Sequence, residues 1–314
     1  MYSKTTIWLI VAVILIVLAG IVYTVSRNGD SSPTPTSTSG SKMLQVVAAE
    51  NFWGSVVSQI GGSHVRVLSI VSDPNADPHE YESSAADARA VANADYVIEN
   101  GVGYDSWVEK LLSAGSSYPN RKVLDVGELV GVSDGGNPHL WYNPAYVNQT
   151  ATKIEQDLIS LDPADKADFE KNYATLQSNF GEYQNRISAI KQQYAGIEVA
   201  STESIFVFLA NAAGLDLVSP PAFIDAVAEG NDPSAQSVVQ FENQLKSGNV
   251  KILVYNEQTV TPLTQEMKAL AAQEGIPVIG VTETIQPPDA TFQEWMNAEL
   301  IDLQNALNAN QLGQ

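Results

Sequence analysis

The 314-residue chain contains no cysteine. That absence excludes disulfides, thiolate zinc sites, iron–sulfur clusters, thiol nucleophiles and a lipidated N-terminal cysteine. Stability must therefore come from packing. Basic residues are scarce: 16 Lys and Arg stand against 36 Asp and Glu, for a net charge of −20. Such a surface repels nucleic-acid phosphates and anionic headgroups, which argues against nucleic-acid binding. Charged residues reach only 17%, below the roughly 25% of ordinary soluble domains. The 44% hydrophobic content is still that of a globular chain, and the length suggests about two domains. Neither G-x-S-x-G, G-x-x-x-x-G-K-[ST] nor H-E-x-x-H occurs. Gly101-Val102-Gly103 lacks the third glycine of a dinucleotide loop and reads as a turn.

What is present begins with an apolar run over residues 7–25, interrupted only by Gly20 and Thr24. As a helix it would span about 28 Å, the thickness of a bilayer core. It is longer than the ~7–15-residue apolar region of a signal peptide and lacks a small-residue cleavage site. Residues 1–28 are therefore expected to be an uncleaved transmembrane anchor, with a signal sequence as the alternative. Residues 29–42, rich in Pro, Ser and Thr, are too polar to bury anything and read as a linker. Lys4 and Arg27 nearly balance across the run and orient it only weakly. An extracytoplasmic location follows from its N-terminal place and from the soluble character of residues 43–314, which hold 13 basic and 35 acidic side chains.

In that soluble part, β-branched runs at 44–48, 65–71, 96–99 and 122–126 alternate with helical stretches at 53–61, 84–93 and 105–114. The alternation returns with strands at 198–200, 215–218, 251–256 and 276–281 and helices near 203–213, 234–246, 262–273 and 289–308. This is βαβ punctuation and predicts two Rossmann-like α/β lobes, 43–162 and 197–314. Between them, 163–196 opens on Asp162-Pro163 and closes on Gly196. Its apolar positions, Phe169, Tyr173, Leu176, Phe180, Tyr183, Ile187, Ile190 and Tyr194, are spaced alternately by four and three residues. One stripe thus runs about 48 Å. A spine helix joining both lobes is expected; an antiparallel hairpin with 144–161 is the alternative.

Only three histidines occur. His64, in a turn at the start of a strand, reads as a surface residue. His79 and His139 each follow a proline in a loop before a helical segment, the kind of position that carries function on a rigid scaffold. A backbone-satisfied histidine is the plain alternative for either. Ligands of open α/β sheets bind beyond the C-terminal strand ends. In the second lobe those ends lead into Ser201-Thr202-Glu203-Ser204 and Thr282-Glu283-Thr284. Glu203 alone could be a helix-start charge. Together, two imidazoles and two carboxylates would form a dianionic site in an interlobe cleft, neutralised by one divalent cation. Without sulfur the donor set is hard, favouring Mn²⁺ or Fe²⁺ while still accepting Zn²⁺. Both histidines must be neutral to ligate, so binding should weaken below pH ~6.5.

At these residues the chain resembles the metal-specific solute-binding receptors of ABC importers for zinc, manganese or iron. The likeness covers about 44–310. It is carried by Asp77-Pro78-His79 with Tyr81, by Asn100 to Gly103 with Trp107, and by Asn137-Pro138-His139 with Trp141, Asn143 and Pro144. The spine helix, Glu229 to Ser234 and the Thr-Glu-Thr ending at Thr284 continue it in order. The resemblance implies two α/β lobes bridged by one long helix, no enzymatic activity, and His79, His139, Glu203 and Glu283 as ligands of one transported ion. It further implies an ABC permease and its ATPase as partners of a monomeric receptor. Zinc-specific members typically place a third His where Glu203 stands and often add a His-rich loop, and neither is present here. Glu283 stands where manganese-type members usually carry Asp, one methylene shorter. Bacterial members are often lipoproteins, and here a transmembrane anchor would replace the lipid.

The rival readings are a zinc-specific receptor, a surface adhesin on the same fold, and a metal-dependent hydrolase. The hydrolase would need a general base, for which Glu80 and Asp77 are the candidates, and neither has an evident orienting partner.

Overall fold

The β-branched runs become two parallel four-stranded sheets, as the sequence predicts. The computed structural model describes residues 43–75, 78–115 and 120–312; the expected anchor at 1–28, the linker at 29–42 and Asp77 lie outside them. The first sheet has the order β2-β1-β3-β4, from β1 (Leu44–Glu50), β2 (Val65–Val71), β3 (Tyr96–Glu99) and β4 (Lys122–Asp125). The second repeats it as β6-β5-β7-β8, from β5 (Glu198–Ser201), β6 (Asp216–Leu217), β7 (Leu253–Asn256) and β8 (Val278–Val281). Every residue of β3 and β7 is buried, as expected of parallel sheets covered on both faces.

The crossovers in the first lobe are α1 (Asn51–Gly61), α2 (Ala85–Asn93) and α3 (Ser106–Ala114), and α4 (Val126–Val130) and α5 (Pro144–Leu161) follow its last strand. Their starts follow local chemistry. Ser84 Oγ accepts the N–H groups of Ala86 and Asp87 while Asp87 accepts the N–H of Ser84. Asn143 caps α5, with Pro144 in its first turn. Next comes α6 (Lys166–Tyr194), about 44 Å long. Phe169, Leu176, Phe180, Tyr183, Ile187, Ile190 and Tyr194 are buried along one stripe, and Tyr173 is half-buried. The second lobe adds α7 (Val207–Ala212), α8 (Pro221–Ala228), α9 (Ala235–Lys246), α10 (Pro262–Gln273) and α11 (Phe292–Leu312).

Helix α6 packs on α5, as the hairpin alternative requires, but also along α1, which lies on the first sheet, and α11, which lies on β8 of the second. It is shared by both lobes, and its aromatic stripe joins one continuous core with Trp53, Trp141 and Trp295. Burying each such side chain contributes about 1.5–3 kcal/mol.

Three local departures have physical causes. The expected helix at 203–213 divides into a 3-10 turn, Ser204–Phe206, and α7, with Glu203 capping the turn. The strand expected at 215–218 shortens to two residues at the sheet edge, where Asp216 is exposed. Helices α4 and α8 have no counterpart among the expected elements: α4 has only five residues, too few for a period, and Pro220-Pro221 resembles a break although proline suits a first helical turn.

Candidate metal centre

All four singled-out side chains come from loops beyond C-terminal strand ends. His79 sits in the 3-10 turn Pro78–Glu80 after β2, and His139 immediately precedes the 3-10 turn Leu140–Tyr142 after β4 and α4. Glu203 follows β5 by two residues and Glu283 follows β8 by two. The structure brings them together, with one donor atom from each lying within 4.8 Å of the others. His79 Nε2 is 3.2 Å from Glu283 Oε2, and His139 Nε2 is 3.5 Å from Glu203 Oε1. The side chains of His139, Glu203 and Glu283 are fully buried, whereas that of His79 is 19% exposed.

The protonation pattern suits a cation. Asn137 Nδ2 donates to Ser204 O at 2.8 Å, which turns its Oδ1 towards His139 Nδ1, also at 2.8 Å. Nδ1 must then carry the imidazole proton, leaving Nε2 as a lone pair with no hydrogen bond. Burial pushes the His139 pKa down to about 3, so the acid competition expected near pH 6.5 does not extend to this residue. Burial alone would disfavour the Glu283 carboxylate. The neighbouring His79 and His139 imidazoles and the Tyr104 hydroxyl outweigh it and hold the group well below the usual carboxylate range. Glu203 Oε1 accepts the N–H of Ile205 at 2.7 Å, so it is both a turn cap and a member of the cluster. With both imidazoles neutral and both carboxylates ionised, the cluster is a buried dianion that one dication would neutralise.

Residues 46–306 match the family described as zinc-uptake complex component A, periplasmic (ZnuA). The chain belongs to this family. Among its relatives, the iron ABC transporter substrate-binding lipoprotein MtsA of Streptococcus pyogenes serotype M1 is 27% identical over 266 residues, covering 79% of this chain and 82% of MtsA. The manganese ABC transporter substrate-binding lipoprotein PsaA of Streptococcus anginosus is 27% identical over 261 residues, covering 77% and 80%. The same fold occurs in the periplasmic zinc-binding protein TroA of Treponema pallidum, at 16% identity and a TM-score of 0.73, covering 84% of this chain and 99% of TroA. The family is one of metal-binding receptors of ABC importers, not of enzymes.

Several residues of this receptor that surround the cluster have no role assigned by the sequence, although Asn100 to Gly103 belongs to the stretches that carry the resemblance. After β3, Gly101, Val102 and Gly103 all have left-handed backbones, with φ of 73°, 61° and 82°. A Cβ on Gly101 would lie 2.2 Å from Asp125 Oδ1, and the β-branched Val102 is strained there. The Asp105 carboxylate accepts the N–H groups of Asn100 at 2.6 Å and Gly101 at 2.9 Å, which holds the turn. The turn delivers Tyr104, whose hydroxyl donates to Glu283 Oε2 at 2.7 Å. From the end of β7, Asn256 and Thr259 donate to Glu283 Oε1, while Gln258 Oε1 accepts the N–H groups of Glu283 and Thr284. The strand-end rule that found Glu203 and Glu283 also points at Asn256, but a neutral amide draws no attention in a sequence.

A cavity of about 680 Å³ opens between the lobes, lined by Val102, Tyr104, Asn137 and Ser204, with Glu80 towards solvent. Of the four clustered residues it touches only His79. A second group, His64 with Asp165 and Asp168, lies elsewhere. Its imidazole meets Asp165 through Nδ1 at 2.6 Å and Asp168 through Nε2 at 2.9 Å. The two ring nitrogens diverge and cannot both face one ion, so this is a clamp between the start of β2 and the spine helix.

Proposed function

We propose that the chain captures one Mn²⁺ or Fe²⁺ ion, in preference to Zn²⁺, on His79, His139, Glu203 and Glu283, and hands it to an ABC permease driven by its ATPase. The observation that carries this is the buried convergence of two carboxylates on a His139 Nε2 lone pair that has no hydrogen bond. A hard nitrogen and oxygen set favours Mn²⁺ and Fe²⁺ more than a thiolate or three-histidine set would. The ion arrives through the interlobe cavity and meets His79 first. Lobes 43–162 and 197–314, joined by 163–196, enclose it, and the receptor works as a monomer. Residues 1–28 hold it at the extracytoplasmic face of the membrane, the part a lipid plays in relatives named as lipoproteins. Among the described residues no helix is long and apolar enough to cross a membrane; the anchor is proposed on the apolar run at 7–25 of the sequence alone.

The test is calorimetric titration of metal-stripped protein, followed by thermal unfolding. One ion per chain is expected. At a thousandfold excess over Kd the ion should stabilise the fold by about 4 kcal/mol, and chelator should reverse the gain while reducing agent changes nothing. If neither Mn²⁺, Fe²⁺ nor Zn²⁺ binds or raises the melting temperature, the reading is wrong.

A further inference from the structure

The geometry points to Asn256 and Thr259 as positioning residues that confine Glu283 to binding its ion through Oε2 alone, and so cap the coordination number of the site. This rests on the metal site proposed above and adds what sets its preference. A carboxylate oxygen offers about two lone-pair directions. On Glu283 Oε1 both are taken, by Asn256 Nδ2 at 2.8 Å and Thr259 Oγ1 at 2.9 Å.

These donors are themselves fixed. Asn256 Oδ1 accepts the N–H of Gln258 at 3.0 Å, so the amide keeps its Nδ2 towards Glu283. Asn256 Nδ2 also reaches Thr259 Oγ1 at 3.1 Å, which directs the single hydroxyl hydrogen of Thr259 at Oε1. Asn256 and Glu283 are fully buried and Thr259 is 6% exposed, so water is poorly placed to substitute for either donor. Gln258 Oε1 accepts the backbone N–H groups of Glu283 and Thr284 at 2.6 and 2.9 Å, which fixes the backbone from which the carboxylate projects. The carboxylate cannot swing to present its other edge without breaking its bonds to Asn256, Thr259 and Tyr104. On Oε2, the Tyr104 hydroxyl occupies one direction at 2.7 Å. The direction left over faces His79 Nε2, 3.2 Å away.

Glu283 therefore has one lone pair to give. With two imidazole nitrogens and a Glu203 that binds through one or both oxygens, the protein supplies four or five donors. Zn²⁺ is satisfied by four or five, whereas Mn²⁺ prefers six oxygen-rich positions. The hard donor set and the capped number oppose each other, and the Asn256–Thr259 pair governs the second.

The experiment compares the full-length chain with the Asn256→Ala/Thr259→Val double variant, using Mn²⁺ alone and Zn²⁺ alone in competition titrations at one pH. X-ray absorption counts the oxygen neighbours of bound Mn²⁺. Loss of these outer contacts should weaken Zn²⁺ by about 10–100-fold. Mn²⁺ should fall less, because the freed Oε1 can join it. The Mn²⁺/Zn²⁺ affinity ratio should therefore rise roughly tenfold, with one oxygen neighbour added. Thr259→Val alone, nearly isosteric, should move the ratio the same way by less, which keeps the test alive if the double variant does not fold. Thr259→Ser keeps the hydroxyl and should behave as wild type. A merely structural role would lower both affinities by one factor. A ratio that stays put or moves towards Zn²⁺, with an unchanged oxygen count, overturns the inference. A wild-type chain that binds neither metal overturns the site itself.

Discussion

In the proposed metal centre the His139 imidazole of one half and the Glu283 carboxylate of the other are held by different means. His139 needs one partner, the Asn137 amide that fixes its tautomer. Glu283 has three side-chain donors on its two oxygens and a glutamine across its backbone. The difference follows from charge. A neutral imidazole loses little on burial, whereas a bare carboxylate buried without donors costs several kcal/mol. The Glu283 carboxylate, held ready for a cation, is surrounded by hydrogen-bond donors, and those donors then dictate how it meets the ion.

Removing one member from each half breaks the comparison most sharply. His139→Ala and Glu283→Gln should each weaken metal binding by more than the ~10–100-fold typical of residues outside the ligand set. Their effects on the metal-free fold should diverge. The amide introduced by Glu283→Gln would set a nitrogen against donors that now find a carboxylate, leaving at least one buried donor unsatisfied at about 1–3 kcal/mol. Urea unfolding of the two stripped variants, read beside metal titration, checks this. If Glu283→Gln leaves stability untouched, the donor bracket does not stabilise the charge as argued.

The same contrast explains how far the sequence could be read. Strand positions were legible where a parallel strand buried on both faces reads as a short apolar run, as in residues 96–99, and where an edge strand keeps β-branched residues although its middle is partly exposed, as in 65–71. The spine helix announced itself by a stripe kept over 26 residues, from Phe169 to Tyr194. His79, His139, Glu203 and Glu283 stood out because ionisable side chains beyond strand ends have few other reasons to be there. Asn256, Thr259 and Tyr104 were silent. Their role depends on where Oε1 and Oε2 of a residue far along the chain come to lie, and nothing local encodes that. The turn at 101–103 was legible, but a valine between two glycines gives no hint that all three residues are left-handed.

A second contrast lies in protons. Beneath the site the first lobe buries Glu50, Glu99 and Asp105. Burial first, and then repulsion from Asp105, raises Glu99 to about 8 and Glu50 well above its usual range; burial raises Asp105 to about 7 against its backbone hydrogen bonds. In the second lobe burial lifts Glu299 to about 8. Each such acid binds its proton more tightly folded than unfolded, so its contribution is complete below pH ~4, and for Asp105, Glu99 and Glu299 it is lost as pH rises through about 7–8. His139 runs the other way: held neutral when folded, it costs stability as pH falls from ~6.5 towards 3. Four raised acids outnumber one lowered histidine. The metal-free protein should therefore melt at a lower temperature at pH 8 than at pH 5, at about 1.4 kcal/mol per pH unit for each net proton. Glu99→Gln should flatten the slope. A melting temperature that is level or rising from pH 5 to 8 would count against the buried, protonated state of these acids.

The smallest effect is also the one that bears most directly on cargo. Glu203 joins the two halves, since it caps a turn of the second lobe through Ile205 and faces His139 of the first. Glu203→His would remove one negative charge and an oxygen pair, giving three nitrogens and one carboxylate, a set closer to four-coordinate zinc sites. Loss of the cap would cost about 1 kcal/mol of stability, but that acts on the fold and should lower both metals alike. The charge and donor change does not. Zn²⁺ should lose less than Mn²⁺, shifting the affinity ratio roughly tenfold towards Zn²⁺. Both metals must be titrated on wild type and variant at one pH, because the imidazole and carboxylate sets release different numbers of protons on binding. An unchanged ratio together with lowered stability would leave Glu203 as the cap of the 204–206 turn alone, and the ion would then have to be held by His79, His139 and Glu283.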